Sequence, residues 1–89
     1  MSGWQLVVAA PAERALARLP QSVAAAIVEF MLGPLLDDPA RVGKALQREL
    51  EGYRSAPRGA YRVVYRVDDE GGLVVVVRIE HRADVYRNR

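Results

Sequence analysis

The stretch "AYRVVYRVDDEGGLVVVVRIEHR", residues 60–82, contains two apolar runs separated by a short polar segment. Valine and tyrosine favour β-strands, and an acidic segment that ends in two glycines is a strong turn signal. The stretch therefore predicts two antiparallel strands joined by a hairpin turn at residues 68–72.

Side chains alternate along a strand, which separates a core face from an exposed face. Tyrosine and valine occupy the odd-numbered positions of residues 61–67, so we expect this set to face the core. The same reasoning assigns the odd-numbered positions of residues 73–79 to the core and the even-numbered positions of residues 74–82 to the opposite face. Paired in this way, the two strands would line the uncovered face with four arginines: Arg62, Arg66, Arg78 and Arg82.

The first half of the chain predicts a strand followed by two helices. Residues 4–9 form a short strand-like run, and Pro11 follows at a position where a helix can begin. A short helix is expected over residues 12–19. A longer helix is expected over residues 20–36, with the glycine and proline at 33–34 as a candidate bend.

Residues 37–46 look like a connection with one helical turn, after which the pattern returns to strands. A strand over residues 50–56 would precede a turn at residues 57–59 and the hairpin described above. The predicted order is β-α-α-β-β-β. We expect an α+β fold in which a helical hairpin packs on one face of a small antiparallel sheet, because each apolar face then has a partner.

Length and composition limit the classes of protein. A chain of 89 residues makes one domain, spanning residues 1–89, with one modest core. The absence of cysteine excludes disulfides and thiolate metal sites, and one histidine with scattered carboxylates gives no convincing metal site. No apolar run approaches the length of a membrane span, and no secretory leader is visible. A soluble cytoplasmic protein that needs no metal or cofactor is expected.

The basic charge is concentrated in one region. Residues 41–66 contain seven basic and two acidic side chains, although the net charge of the whole chain is only +2. Almost all of the basic residues are arginine, whose planar guanidinium pairs bidentately with phosphate and stacks on bases. The pattern favours a nucleic-acid-binding surface, with a solvated arginine-rich surface as the alternative.

Two further residues near the carboxyl end could carry chemistry. His81 follows the apolar phase of the last strand but lies at its end, where it could also cap or pack the strand. Tyr86 could fold back against the same surface, either as a hydrophobic anchor or as a functional group. Together with the arginines, these residues suit RNA cleavage.

Cleavage of RNA by its own 2′-hydroxyl requires a base for that proton, positive donors for the phosphate and an acid for the departing oxygen. Arginine supplies only the positive donors, so Arg62 and Arg82 are candidate phosphate clamps. His81 is the candidate base or acid, since histidine ordinarily titrates near pH 6.5. Tyr86 is the candidate second proton carrier or a stacking platform for a base.

Three segments carry a resemblance to a known family: "VGKALQREL" at 42–50, "RGAYRVVYRVDDE" at 58–70 and "HRADVYR" at 81–87. Together with the order of elements, they resemble the RelE branch of the RelE/ParE toxin superfamily, particularly its actinobacterial members. The resemblance spans almost the whole chain.

The resemblance implies an mRNA interferase, a toxin that enters the ribosomal A site and cuts the messenger there. Such toxins use no metal and leave a 2′,3′-cyclic phosphate. Arg62 corresponds to the arginine that contacts the scissile phosphate, and Arg82 and Tyr86 correspond to the functional arginine and tyrosine of the tail. His81 falls where some relatives carry a catalytic histidine. The other basic residues of this region are assigned to RNA or ribosome binding: Lys44, Arg48, Arg54, Arg58, Arg66 and Arg78.

The resemblance also implies partners. A small RelB-like antitoxin would wrap a helix and an extended segment over the toxin and inhibit it. The toxin would bind the ribosome and messenger, and it would reach promoter DNA only through the antitoxin. A membrane partner is not expected.

One departure from the family concerns the general base, the residue that takes the proton from the 2′-hydroxyl. Well-known members carry a pair of lysines on the strand before the tyrosine-arginine motif, whereas Tyr53, Arg54 and Ser55 stand there in this chain. Two alternatives to RNA cleavage remain: a ParE-like inhibitor that binds DNA gyrase, and an inactive RelE-fold interaction module.

Overall fold

The computed structural model describes residues 3–83, which form a five-stranded sheet with helices on one face. The strands are β1 (Gln5–Val8), β2 (Lys44–Ala45), β3 (Arg54–Arg58), β4 (Tyr61–Asp68) and β5 (Leu73–His81). Their order across the sheet is β1-β5-β4-β3-β2. The predicted α+β class is confirmed.

The prediction of a wholly antiparallel sheet was wrong, because β1 pairs with β5 in parallel. Antiparallel pairing follows directly only for strands joined by a tight turn, as β4 and β5 are. Between β1 and β5 the chain passes through the helices and three other strands, so it can return in either direction. The two-residue strand β2, at the other edge of the sheet, was not predicted.

The helices are α1 (Ala10–Arg18), α2 (Gln21–Leu32), α3 (Pro34–Asp37) and α4 (Pro39–Val42), followed by a 3₁₀ turn at Arg48–Leu50. The predicted long helix is interrupted at Gly33, because Pro34 has no backbone N–H to continue the hydrogen-bond ladder. Pro34 instead begins a new short helix, where proline is tolerated. Within residues 3–83, none of these helices has the length and hydropathy that a membrane crossing requires.

A single hydrophobic cluster joins the helices to one face of the sheet, which we call the helix face; the opposite side is the open face. The buried members are Ala12, Ile27, Met31 and Leu35 from the helices and Ala56, Val63, Tyr65, Val74, Val76 and Ile79 from the strands. Tyr61 and Val67 pack against this cluster. The predicted core parity of β4 is therefore confirmed.

A β-bulge changes the parity of β5. Tyr65 pairs with Val76 but Val64 pairs with Arg78, so Val77 is the extra residue. A bulge reverses the alternation of a strand relative to its partner. Val74 and Val76 consequently face the helices, and their predicted position on the exposed face was wrong. Beyond the bulge, Ile79 lies on the helix face as predicted.

Hydrogen bonds hold α4 and the following Gly43 against the helix face. The Tyr65 hydroxyl donates to the Pro39 carbonyl at 2.6 Å, and the Arg54 guanidinium donates to the Ala40 and Gly43 carbonyls at 2.6 Å each. A β-carbon at Gly43 would overlap the Tyr65 hydroxyl, so this close approach requires glycine. The network fixes the position of Gly43, directly before β2 begins at Lys44.

The Tyr65→Phe variant should be less stable than the wild type at about pH 8, by about 1–2 kcal/mol, because the Pro39 carbonyl loses its donor. Burial raises the pKa of Tyr65 above its ordinary value of 10.0, against the opposing effect of Arg54. The neutral hydroxyl is thus favoured in the folded state. Its contribution to stability is complete below about pH 10 and is lost as the pH rises through the folded-state pKa.

Urea unfolding followed by circular dichroism at about pH 8 and about pH 10.5 tests this prediction. The stability difference between wild type and Tyr65→Phe should narrow at the higher pH. Tyr53→Phe is the matched control, since Tyr53 is half-buried and lies outside the hydrophobic cluster. An unchanged difference at the two pH values would contradict the assignment.

Candidate functional site

The open face carries the basic side chains that the alternation predicts for it. Arg62 and Arg66 of β4 lie on this face, because their neighbours in β4 face the helices. Arg78 of β5 pairs with Val64 and shares the face. Lys44 of β2 pairs with Ser55, which pairs with Val64, so Lys44 also lies on this side. The structure thus puts these basic residues on one surface, while their role stays a prediction.

A charged cluster on this surface consists of Arg62, Arg78 and Glu80. Arg62 is directly opposite Glu80 across the β4–β5 ladder. The Arg78 Nη1 atom donates to the Glu80 Oε2 atom at 2.7 Å. Residues two apart on a strand lie on the same face, so the three side chains form one group. We call this group the open-face cluster.

The open-face cluster forms the rim of a cleft of about 70 Å³. The other residues that line the cleft are Leu46, Leu50, Ser55 and Val64. Leu46 and Leu50 come from the segment between β2 and β3, which therefore lies beside the sheet at this point. The side chain of Glu80 is 24% exposed and that of Arg78 is 57% exposed, so solvent screens the carboxylate less than the guanidinium.

His81 lies on the other side of the sheet. Its register partner is Tyr61, and the two rings meet edge to face with their centroids 5.1 Å apart. Ala15, Arg18 and Leu19 of the first helical segment and Glu80 of β5 border the same space. The Nδ1 atom of His81 accepts a hydrogen bond from the Ala83 N–H at 3.1 Å, as a capping residue would. The structure therefore does not bring His81 and Arg62 onto one face.

Arg82, another member of the predicted catalytic set, lies at the end of β5. Arg82 directly follows the strand and is exposed, and its backbone N–H donates to the Ala60 carbonyl at 2.9 Å. Tyr86 lies outside the described residues. Of the predicted set, Arg62 is the member that the structure locates within the open-face cluster.

The predicted RNA-binding residues are divided between the two faces. Arg54 is half-buried on the helix face, where it binds the carbonyls described above. Arg58 pairs with Tyr61 and borders α2, so it lies on the helix side as well. Arg48 is exposed in the 3₁₀ turn with a φ of 62°. Lys44, Arg66 and Arg78 remain on the open face.

Glu80 was not among the site residues predicted from the sequence. Its parity with Arg78 is the signal that could have identified it, whereas its pairing with Arg62 depends on the bulge at Val77. Within residues 3–83, the carboxylates and the histidine form no group of three or more that could hold a metal ion.

Comparisons with known proteins agree with the fold. A family model described as the ParE toxin of type II toxin–antitoxin systems, parDE, matches residues 6–86. The chain is 55% identical to toxin RelG of Mycobacterium tuberculosis over 76 residues, which cover 85% of this chain and 87% of RelG. It is 49% identical to toxin RelE of the same organism over 84 residues, which cover 94% of this chain and 87% of that toxin.

Solved structures show the same architecture. A chain of the RelBE2 toxin–antitoxin complex from Mycobacterium tuberculosis matches with a TM-score of 0.85 and 48% identity, over 89% of this chain and 98% of that chain. The isolated RelE toxin of Escherichia coli matches with a TM-score of 0.71 and 22% identity, over 94% and 92% of the two chains, and supports the fold alone. This chain therefore belongs to the RelE/ParE superfamily of toxins from type II toxin–antitoxin systems, and within it to the RelE family.

Proposed function

We propose that this toxin is a metal-independent endoribonuclease that cuts messenger RNA in the ribosomal A site. The observation that carries the proposal is the open-face cluster, in which Arg62 and Arg78 flank a carboxylate on a surface that the helices leave open. Guanidinium groups bind phosphate bidentately and can stabilise the charge that develops during attack by the 2′-hydroxyl. The similarity to RelG and RelE toxins supports this assignment.

A requirement for the ribosome is consistent with the geometry of the described residues. The side chains of His81 and Arg62 lie on opposite faces of the sheet, so the described members of the predicted set do not form a compact active site. A ribosome that holds the messenger in a bent, reactive conformation would supply the alignment that such a site lacks. The toxin would then contribute mainly positive donors and proton transfer.

The partner that restrains this activity is proposed to be a RelB-like antitoxin. The RelBE2 complex is a toxin–antitoxin complex, and its matching chain is 48% identical to this one. The antitoxin would bind and inhibit the toxin in the cytoplasm, where the ribosomes are. Binding to promoter DNA would occur through the antitoxin.

Primer extension on a defined messenger, translated with purified ribosomes with and without the protein, tests the proposal. New cuts confined to the A-site codon are the expected result. A gyrase supercoiling assay on the same preparation is included because the matching family model bears the ParE name. An intact messenger together with blocked supercoiling would overturn the proposal and would assign gyrase inhibition to the protein instead of RNA cleavage.

A further inference from the structure

The carboxylate of Glu80 occupies an unusual position for a side chain on a phosphate-binding surface. It lies opposite Arg62 on the neighbouring strand and accepts a hydrogen bond from Arg78 at 2.7 Å. Residues directly opposite in an antiparallel pair have β-carbons about 4.5–5.5 Å apart. A phosphate bound between the two arginines would therefore lie beside this carboxylate.

The other groups around the cleft cannot take a proton at neutral pH. Its lining consists of Leu46, Leu50, Ser55, Arg62, Val64, Arg78 and Glu80. Arginine does not deprotonate in proteins, and a serine hydroxyl needs a base of its own to act. His81 faces the opposite side of the sheet, against the Tyr61 ring. Among residues 3–83, Glu80 is therefore the proton acceptor that this cleft offers.

We propose that Glu80 is the general base of the cleavage reaction, an assignment that rests on the proposed function. Glu80 takes the proton from the ribose 2′-hydroxyl as that oxygen forms a bond to the adjacent phosphorus. The bond between phosphorus and the 5′-oxygen breaks, and the 5′-oxygen takes a proton from water. The hydroxide that this leaves takes the proton from Glu80, which returns to its carboxylate form. The products are a 2′,3′-cyclic phosphate and a 5′-hydroxyl, while Arg62 and Arg78 stabilise the charge on the phosphate oxygens.

The ion pair in the cluster has a defined role in this scheme. Arg78 holds the Glu80 carboxylate in one orientation, and the carboxylate in turn keeps the guanidinium on the open face. When the phosphate binds, Arg78 is shared between two anions, and its hold on Glu80 weakens as the proton is transferred. The arginine is therefore a positioning residue as well as a phosphate donor.

Single-turnover cleavage on programmed ribosomes, with the wild type, Glu80→Gln and Glu80→Asp, tests the assignment. Glu80→Gln keeps the shape of the side chain but cannot accept the proton, so the rate should fall by about 10²- to 10³-fold. Its binding to the ribosome should be unchanged or tighter, because a negative charge beside two arginines is removed. Glu80→Asp should recover part of the rate. Glu70→Gln in the exposed turn makes the same charge change and should cleave like the wild type.

The pH profile of the wild type gives an independent measurement that does not depend on the folding of a variant. A carboxylate base is already ionised at about pH 6, so the rate should stay nearly constant from about pH 8 to about pH 6. A histidine base would lose much of its activity over the same range. A clear fall in rate that disappears in His81→Gln would overturn the assignment to Glu80.

The outcomes separate this inference from the proposed function. A wild type that leaves ribosome-bound messenger intact overturns both. Cleavage by the wild type and by Glu80→Gln at equal rates overturns the role of Glu80 alone. A loss of rate in Glu80→Gln that is matched by an equal loss of ribosome binding makes Glu80 a structural residue and also overturns the inference.

Discussion

Substitution of alanine for Arg62 is expected to lower the rate of messenger cleavage by about 10²- to 10³-fold without unfolding the protein. Arg62 lies on the open face, opposite Glu80. In the proposed reaction its guanidinium would donate two hydrogen bonds to the scissile phosphate. Loss of a donor to the developing charge affects the transition state more than the bound substrate. The side chain is only half-buried and lies outside the hydrophobic cluster, so the fold should tolerate its removal.

Single-turnover cleavage and thermal unfolding, measured together, test this expectation. Arg66→Ala is the matched control, because Arg66 lies on the same strand and face but pairs with Val75, away from Glu80. The Arg66→Ala variant should lower the cleavage rate by no more than about tenfold. Arg62→Lys keeps the charge and loses the planar fork, so its rate should lie between those of the wild type and Arg62→Ala. Full activity of Arg62→Ala would show that the phosphate binds elsewhere.

The second large effect is expected in the fold, at two adjacent valines. Val76→Glu should unfold the protein at room temperature, whereas Val75→Glu should leave it folded. Val76 is 0% exposed on the helix face, where a carboxylate would be buried without a partner. Val75 is 8% exposed, but it lies on the open face and pairs with Arg66, which can bind a new carboxylate.

Circular dichroism and chemical unfolding of the two variants measure this difference. Burial of an unpaired charge costs well over about 4 kcal/mol. The free energy of unfolding of a domain of this size is of the same order, so the substitution would use up most or all of it. The pair differs only in position along the chain, so each variant is the control for the other. The opposite result, with Val75→Glu unfolded and Val76→Glu folded, would mean that the bulge is absent and that simple alternation holds along β5.

Much of the fold followed from local patterns. The core parity of β4 was predictable because tyrosine and valine occupy alternate positions between residues 61 and 67. The β4–β5 hairpin followed from the turn residues at 68–72, and the two main helices followed from the helical spacing of apolar residues. Local patterns did not predict the features that depend on contacts between segments distant in the sequence. The parallel pairing of β1 with β5 is one example, and the half-buried position of Arg54 against two backbone carbonyls is another.

The candidate site shows the same division. The sequence predicted an arginine surface that includes Arg62 and Arg78, because charged residues at alternate positions must avoid the core. It gave His81 the apolar parity of the last strand, which the pairing with Tyr61 confirms, but it did not show that this parity separates His81 from Arg62. Nor did it indicate that Glu80 completes a cluster with two arginines, since that grouping depends on the register between strands.

The amino-acid sequence by itself determined the class of fold, the position of the β4–β5 hairpin and the basic character of one surface, because these depend on periodicity, turn residues and charge along a single segment. The tertiary structure alone decided which valines of β5 are buried. In "LVVVV", residues 73–77, both parities are apolar, so alternation carries no information. Strand pairing decides which valines are buried, because β1 and β4 fix the register of the first half of β5. The bulge at Val77 then reverses the alternation, so that Arg78 and Glu80 lie on the open face.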